Sequence, residues 1–300
     1  MKLGIVGLGR MGMAITERVL KAGYDVVAFD RNETLRKEAE QLGARTVLTA
    51  SQLPEHVRVT WLMIPAGAPI DQVIESMLPD MHKGDTIIDG GNSNFHDTVC
   101  RSRSLQEHGM HFLDCGTSGG LKGREIGFSL MIGGQESVFK LYEPLFKAIA
   151  HKDGYGYMGE SGAGHYVKMV HNGIEYALMQ AYGEGFDLLK NGEYKELDLA
   201  KICRVWNNGG VIRSYLLELI ENIFKEDQNL EGISGEVAES GMGLWTVQEA
   251  HKQHISVKLI EDALDIRKQS RETGGNFGTK VVAMLRNQFG GHSVKFEKSE

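Results

Sequence analysis

Lys168-Met-Val-His171-Asn172-Gly-Ile-Glu175 brings an amine, an imidazole, an amide and a carboxylate into one short stretch. At about 100° per residue, Lys168, Asn172 and Glu175 (i, i+4, i+7) fall nearly in line on a helix, with His171 one step to the side. Such a set is enough for acid/base chemistry on a small polar molecule. The same spacing also describes a solvated helix face with a Lys–Glu pair. The chemical reading therefore depends on the segments that accompany this one.

The first is at the N-terminus. Leu3-Gly-Ile-Val6 is a short apolar run of the kind that forms a buried parallel strand. Gly7-Leu-Gly9-Arg10-Met11-Gly12 follows at once, then a helical stretch from Met13 to Ala22 and a second strand, Tyr24 to Phe29, ending at Asp30. A glycine fingerprint between strand and helix, with an acid about 20 residues on, is the pattern of a dinucleotide-binding βαβ unit. Glycines let the backbone approach a pyrophosphate, which rests on the free N–H groups of the helix start. A carboxylate at Asp30 accepts hydrogen bonds from ribose hydroxyls and repels a 2′-phosphate, which favours NAD. Arg31 pulls the other way, toward NADP.

Further apolar strands are expected at Val57–Ile64, Asp85–Asp89, His111–Cys115 and Ser129–Ile132, separated for the most part by helical stretches. The fold class is thus an α/β, Rossmann-type, doubly wound parallel sheet. Ligands in such folds bind beyond the carboxyl ends of the strands. Gly90-Gly-Asn92-Ser93 and Gly116-Thr-Ser118-Gly119-Gly120 both stand there, with Asn92 and Ser118 able to hydrogen-bond; each could also be only a turn. From about His165 the pattern turns helical: His165–Lys190 as one long helix whose glycines mark close packing, then Leu197–Trp206, Val211–Lys225, Trp245–His254 and Ser256–Glu272. The expected division is a dinucleotide domain over 1–164 and an all-helical substrate and oligomerisation domain over 165–300.

Composition bounds the rest. Over 300 residues, 41% hydrophobic and 24% charged content is that of a globular chain, and no apolar run approaches a membrane helix. Three widely spaced cysteines, Cys100, Cys115 and Cys203, speak against a disulfide framework and fit a reducing cytoplasm. A net charge of −7 argues against nucleic-acid or membrane partners and requires cations to be gathered locally if the substrate is an anion. His251 and His254, one turn apart, have no further ligands beside them, so no metal is expected. Lys295 to Glu300 is a charged tail expected to fray.

Taken together, these segments resemble the decarboxylating 6-phosphogluconate dehydrogenases over nearly the whole chain. The resemblance is carried by Gly7 to Gly12, Gly90 to Ser93, Thr117 to Gly120 with Ser129-Leu-Met-Ile-Gly-Gly134, Val167 to Tyr176, and the tail motif Arg286-Asn-Gln-Phe-Gly-Gly-His292. The length is similar to the short, NAD-preferring form. The resemblance implies oxidation of 6-phosphogluconate at C3, loss of carbon dioxide, and protonation to ribulose 5-phosphate, a step of the pentose phosphate pathway. It makes Lys168 the base and Glu175 the acid that protonates C1, with Asn172 beside them. Asn92, Ser118, Gly119, Gly120, His171 and Asn172 match positions that hold the sugar acid. Tyr176 and Arg267 match positions around its phosphate, and Arg286 and His292 match tail residues supplied by a neighbouring subunit of a homodimer or homotetramer.

One segment departs from the family pattern. Ser240-Gly-Met242-Gly-Leu244-Trp245 carries apolar side chains where relatives commonly have lysine, threonine or another polar group. A β-hydroxyacid dehydrogenase of the 3-hydroxyisobutyrate type shares the fingerprint and the Lys/Asn pair. It has no need of Glu175 or of the Arg/His tail. A non-catalytic NAD-binding sensor has no reason to keep both Lys168 and Glu175.

Overall fold

The computed structural model describes residues 1–297 and divides into two units, Met1–Met169 and Val170–Glu300. The first holds one eight-stranded sheet: β1 (Lys2–Val6), β2 (Asp25–Phe29), β3 (Arg45–Thr46), β4 (Val59–Leu62), β5 (Thr86–Asp89), β6 (His111–Ser118), β7 (Phe128–Gly134) and β8 (Ala150–Gly159). Its helices are α1 (Arg10–Lys21), α2 (Glu33–Gln41), α3 (Ala68–Met77), α4 (Phe95–Glu107), the single turn α5 (Gly123–Ile126) and α6 (Glu136–Ile149). The spatial order is β3-β2-β1-β4-β5-β6-β7-β8, so the chain reverses direction across the sheet between β1 and β4. That crevice is where a doubly wound sheet takes its ligand.

The expected parallel sheet holds from β3 through to β6. β7 then pairs antiparallel with β6, and β8 pairs parallel with β7. The link from β6 to β7 carries only a 3-10 turn and α5, too little for a crossover helix, and a short connection returns the chain antiparallel. β3 and β8 are strands that periodicity does not reveal. β8 is polar and glycine-rich, has register shifts against β7, and contains Asp153 at φ 60°, so it lacks the apolar run of an interior strand. The core is filled by Trp61, Phe128, Phe146 and the aliphatic residues of β1, β4 and β6, all buried. Each large side chain so buried contributes about 1.5–3 kcal/mol.

A long helix, α7 (Ala163–Asn191), runs from the end of the first unit into the second. It is followed by α8 (Leu199–Asn207), α9 (Tyr215–Glu226), α10 (Met242–Lys252), α11 (Lys258–Thr273) and α12 (Phe277–Gly290). Side-chain caps explain the starts that differ from expectation. Ser214 accepts from the Leu217 N–H, so α9 opens four residues after Val211, and Asp198 caps α8 through Lys201. Of the glycines on α7, Gly183 does mark close packing: a Cβ there would stand 2.6 Å from the Gly278 carbonyl of α12. Gly185 has open space around it. Phe186, Trp206, Phe224 and Phe277 form the aromatic centre of this unit.

α12 is a helix the sequence reading treats only as a tail motif. Thr279, Val281 and Val282 are poor helix formers, yet they are buried, and an Asn276/Thr279 capping box starts the helix. The tail beyond it is also tied down as far as it is described. Lys295 accepts from the Ser234 N–H through its carbonyl, Phe296 bridges to Ile233, and Lys295 and Glu297 pair with Glu236 and Lys280. The expected fraying does not extend to these residues, and 298–300 lie outside the described residues.

Candidate active site

The dinucleotide end is built by β1, α1 and β2. Gly7 takes φ +93°, and a Cβ on it would stand 2.3 Å from the Met63 carbonyl oxygen. A Cβ on Gly12 would be 1.9 Å from the Gly7 carbonyl oxygen, so strand, turn and helix meet at backbone distance. Gly9 has nothing within 4 Å of its absent Cβ and caps α1 without a side chain. The turn therefore leaves room at the start of α1, where the helix's first N–H groups would receive a pyrophosphate. Arg10 is exposed beside them, and Met11 packs partly against the core. At the end of β2, Asp30 accepts the Leu8 N–H (2.7 Å) and the Asn32 N–H (2.8 Å), one on each carboxylate oxygen. These two bonds fix the carboxylate next to the glycine turn, where a ribose would lie, with Arg31 exposed alongside. The residues present fit NAD.

Beyond β5, Asp89 organises the Gly90–Ser93 loop by accepting the Gly91 N–H (3.1 Å) and the Ser93 hydroxyl (2.6 Å). Ser93 is thereby buried and Asn92 is left exposed. Beyond β6, Gly119 and Gly120 take φ +128° and +54°, and Ser118 is half-buried. Lys168 is on the first turns of α7 and is buried. A Cβ on Gly116 would stand 2.3 Å from the Lys168 Cβ, so the lysine stem lies directly against the strand that leads into the Ser118 loop. The first unit thus unites the cofactor turn, both loops and the amine.

In the second unit, α7 continues with His171, Asn172, Glu175 and Tyr176. His171 Nδ1 lies 3.2 Å from Asn172 Oδ1 and 3.8 Å from Glu175 Oε2. Asn172 and Tyr176 are buried, and the Glu175 side chain keeps about a fifth of its surface open. Arg267 on α11 is 1% exposed and stacks its guanidinium 3.5 Å over the centre of the Tyr176 ring. Both of its Nη groups are buried with no hydrogen-bond partner among the described residues. Burial, together with the neighbouring positive charge of Arg286, lowers Arg267 to about 10 against the opposing pull of Tyr176, Glu175 and Glu239. Burial likewise lowers Arg286, which feels Tyr176 and Glu175. A desolvated guanidinium with its donors unmatched is a site for an anion.

Arg286, matched by resemblance to a tail residue from a neighbouring subunit, is buried on α12 and within electrostatic reach of Tyr176 and Glu175. Met242, one of the apolar departures from the family pattern, is buried at the start of α10, while Leu244 is partly exposed. The polar contact of that segment is Ser240, whose Oγ lies 3.3 Å from the Tyr176 hydroxyl and whose N–H donates to it at 3.4 Å. His292 is exposed just after the left-handed Gly291, its ring edge-on to Phe289. His251, weighed with His254 as a metal ligand, pairs with Glu261 at 2.6 Å. Sequence reasoning missed Asp89 and Asp114; the available signal was an acid inside an otherwise apolar strand.

Comparison with known proteins agrees on both units. Residues 2–159 match the NAD binding domain of 6-phosphogluconate dehydrogenase, and residues 164–295 match the 6-phosphogluconate dehydrogenase C-terminal domain. A Haloferax volcanii protein named NAD(+)-dependent, decarboxylating 6-phosphogluconate dehydrogenase is 46% identical over 98% of both chains. The Salmonella typhimurium decarboxylating enzyme is 39% identical over 89% of this chain, which spans 60% of that longer protein. The Plasmodium falciparum 6-phosphogluconate dehydrogenase structure superposes with a TM-score of 0.82 at 30% identity, over 91% of this chain and 62% of that one. A Salmonella typhimurium 3-hydroxyisobutyrate dehydrogenase, at 20% identity and a TM-score of 0.78, shares the fold. With both units matched and one alignment running almost end to end, the chain belongs to the 6-phosphogluconate dehydrogenase family.

Proposed function

We infer that this protein oxidatively decarboxylates 6-phosphogluconate to ribulose 5-phosphate and carbon dioxide with NAD as oxidant. The observation that carries the reading is the Arg267 guanidinium, buried and unpartnered over Tyr176 with Arg286 nearby. A phosphorylated sugar acid supplies the dianion this cluster lacks; a short hydroxyacid does not. Bound NAD supplies the hydride acceptor. Lys168, neutral at the outset, takes the C3 hydroxyl proton as the C3 hydride departs. As an ammonium it then hydrogen-bonds the C3 carbonyl and stabilises the negative charge that develops when the C1–C2 bond breaks and carbon dioxide leaves. Glu175 delivers a proton to the former C2 of the resulting enediolate, which becomes C1 of ribulose 5-phosphate. Asn92, Ser118, Gly119, Gly120, His171 and Asn172 hold the carboxylate and hydroxyls.

NAD reduction is expected with 6-phosphogluconate and not with gluconate or short 3-hydroxyacids. Turnover of the short acids alone would move the protein to the hydroxyacid dehydrogenases, and cofactor binding without turnover of any acid would make it a sensor. NAD is expected to be preferred over NADP because the fixed Asp30 carboxylate repels a 2′-phosphate. Two such charges about 4 Å apart near a surface repel by roughly 1–4 kcal/mol. Asp30→Asn should therefore raise the NADP-to-NAD ratio of kcat/KM roughly 10- to 100-fold, with Arg31 available to the phosphate. An unchanged ratio would remove Asp30 as the selector.

The assembly is proposed to be a homodimer or homotetramer in which the His292 stretch reaches the neighbour's site. Large apolar side chains exposed on the helical unit, among them Leu188, Val205, Val211 and Ile212, support association. Mixing Lys168→Met with His292→Ala subunits should restore part of the activity that each homo-oligomer lacks; no recovery would mean that His292 serves its own chain. A cytoplasmic location is part of the same reading, in keeping with three unpaired cysteines and no described helix long and apolar enough to cross a membrane.

A further inference from the structure

Asp114 is fully buried near the middle of β6, in register with Asp89 on β5 and Gly133 on β7. Both of its carboxylate oxygens accept backbone hydrogens from the start of α7: Oδ1 from the Gly162 N–H at 2.8 Å, Oδ2 from the His165 N–H at 2.9 Å. Gly162 occupies the capping position, since its carbonyl accepts the first helical bond from Tyr166 (2.8 Å). It has no side chain with which to cap. The helix therefore takes its acceptor from a strand, and takes it as a full negative charge at the positive end of the helix dipole.

The same turn is held at a second point. His165 Nε2 donates to the Asp89 carbonyl at 3.2 Å, and Nδ1 pairs with the Thr98 hydroxyl at 2.7 Å. Asp89 in turn binds Gly91 and Ser93. Two in-register aspartates on adjacent strands thus hold the Gly90–Ser93 loop and the first turn of α7, with His165 joining them. The packing leaves no slack. A Cβ on Gly164 would stand 2.3 Å from the Met131 carbonyl, and one on Gly133 would stand 2.7 Å from both Asp114 oxygens. Lys168 follows one turn after His165, its stem against Gly116.

We propose that Asp114 is a positioning residue for the Lys168 amine: by capping α7 from β6, it holds that amine in the same frame as the Gly90–Ser93 loop. The proposal rests on the reading of Lys168 as the base. Asp114→Asn keeps size and shape but turns one acceptor into a donor facing an N–H. In the full-length variant, kcat with NAD and 6-phosphogluconate is expected to fall about 10- to 100-fold, as small displacements of reacting groups do. KM and NADH affinity should stay near the wild-type values, because the dinucleotide turn and the arginine cluster are untouched. A purely structural Asp114 would lower Tm and leave kcat per folded molecule unchanged, and that result would overturn the proposal.

A second arm needs no substrate. The rate of reductive methylation of Lys168, followed by peptide mass spectrometry, should rise about tenfold in Asp114→Asn as the first turn opens; an unchanged rate would also overturn it. If wild type does not oxidise 6-phosphogluconate, the functional reading fails, while the methylation arm still decides the placement of Lys168. Should the variant not accumulate, hydrogen exchange on the wild-type protein decides: the Gly162 and His165 amides must be protected to the level of β6, and exchange at the rate of an exposed loop refutes the cap.

Discussion

Lys168→Met is expected to lower NAD reduction with 6-phosphogluconate by about 10³- to 10⁴-fold, near the upper range for loss of a general base. Methionine keeps the length of the buried stem that lies against Gly116, so packing on β6 survives while the amine is removed. The first step then has no base for the C3 proton, and the later steps never begin. NADH binding should be unchanged, since the fingerprint turn and Asp30 belong to β1, α1 and the end of β2. Fluorescence titration with NADH and single-turnover kinetics separate the two effects. Glu175→Gln provides the contrast: hydride transfer continues, and the final protonation slows. If Lys168→Met reduced NAD at a near-normal rate in a single turnover, another group must take the proton and the proposed division of labour is wrong.

Arg267→Met is expected to move affinity and stability in opposite directions. Losing a buried charged contact to a phosphate costs about 3 kcal/mol, so KM for 6-phosphogluconate should rise roughly 100-fold. The ligand-free protein should instead become more stable. Arg267 is desolvated, adjacent to Arg286 and without partners for either Nη group. Its lowering from 12.5 to about 10, at about 1.4 kcal/mol for each tenfold change in proton affinity, corresponds to roughly 3 kcal/mol of destabilisation. A methionine of similar length removes the charge and keeps the apolar contact with Tyr176.

The sign of the pH dependence follows from the same lowering. Between about 10 and the ordinary 12.5 the unfolded chain holds this proton and the folded chain does not, so stability rises with pH across that window. Below about 10 both states are protonated and the full penalty remains. At neutral pH only an anion can relieve it. Inorganic phosphate should therefore raise Tm of the wild type and leave the variant nearly unmoved. A ligand-free variant less stable than wild type would show that Arg267 already has its partner.

How much of this was legible beforehand differs from residue to residue. The Gly7–Gly12 turn, Asp30 and the long helix with Lys168 and Glu175 could be read because their signals are local. A fingerprint, an acid after the second strand and a 3.6-residue spacing each lie within a few turns of chain. α12 was not legible, because Thr279, Val281 and Val282 argue against a helix and only burial of that face outweighs them. The antiparallel β7 and the edge strand β8 were hidden for a related reason: direction depends on the length of a connection, and an edge strand carries no apolar run.

The site divides in the same way. Sequence by itself determined which groups are present: a dinucleotide turn, two glycine loops, an amine and a carboxyl on one helix, and the arginines. It also determined the family, since those motifs occur in one order. Tertiary structure decided what those groups can do. It stacked Arg267 on Tyr176 and left its donors unmatched, buried Arg286 within electrostatic reach of Tyr176 and Glu175, and capped α7 with Asp114 from a strand. Each of these joins residues far apart in the chain, and each depends on desolvation or on contact at backbone distance. Such properties belong to packing, and no spacing along the chain encodes them.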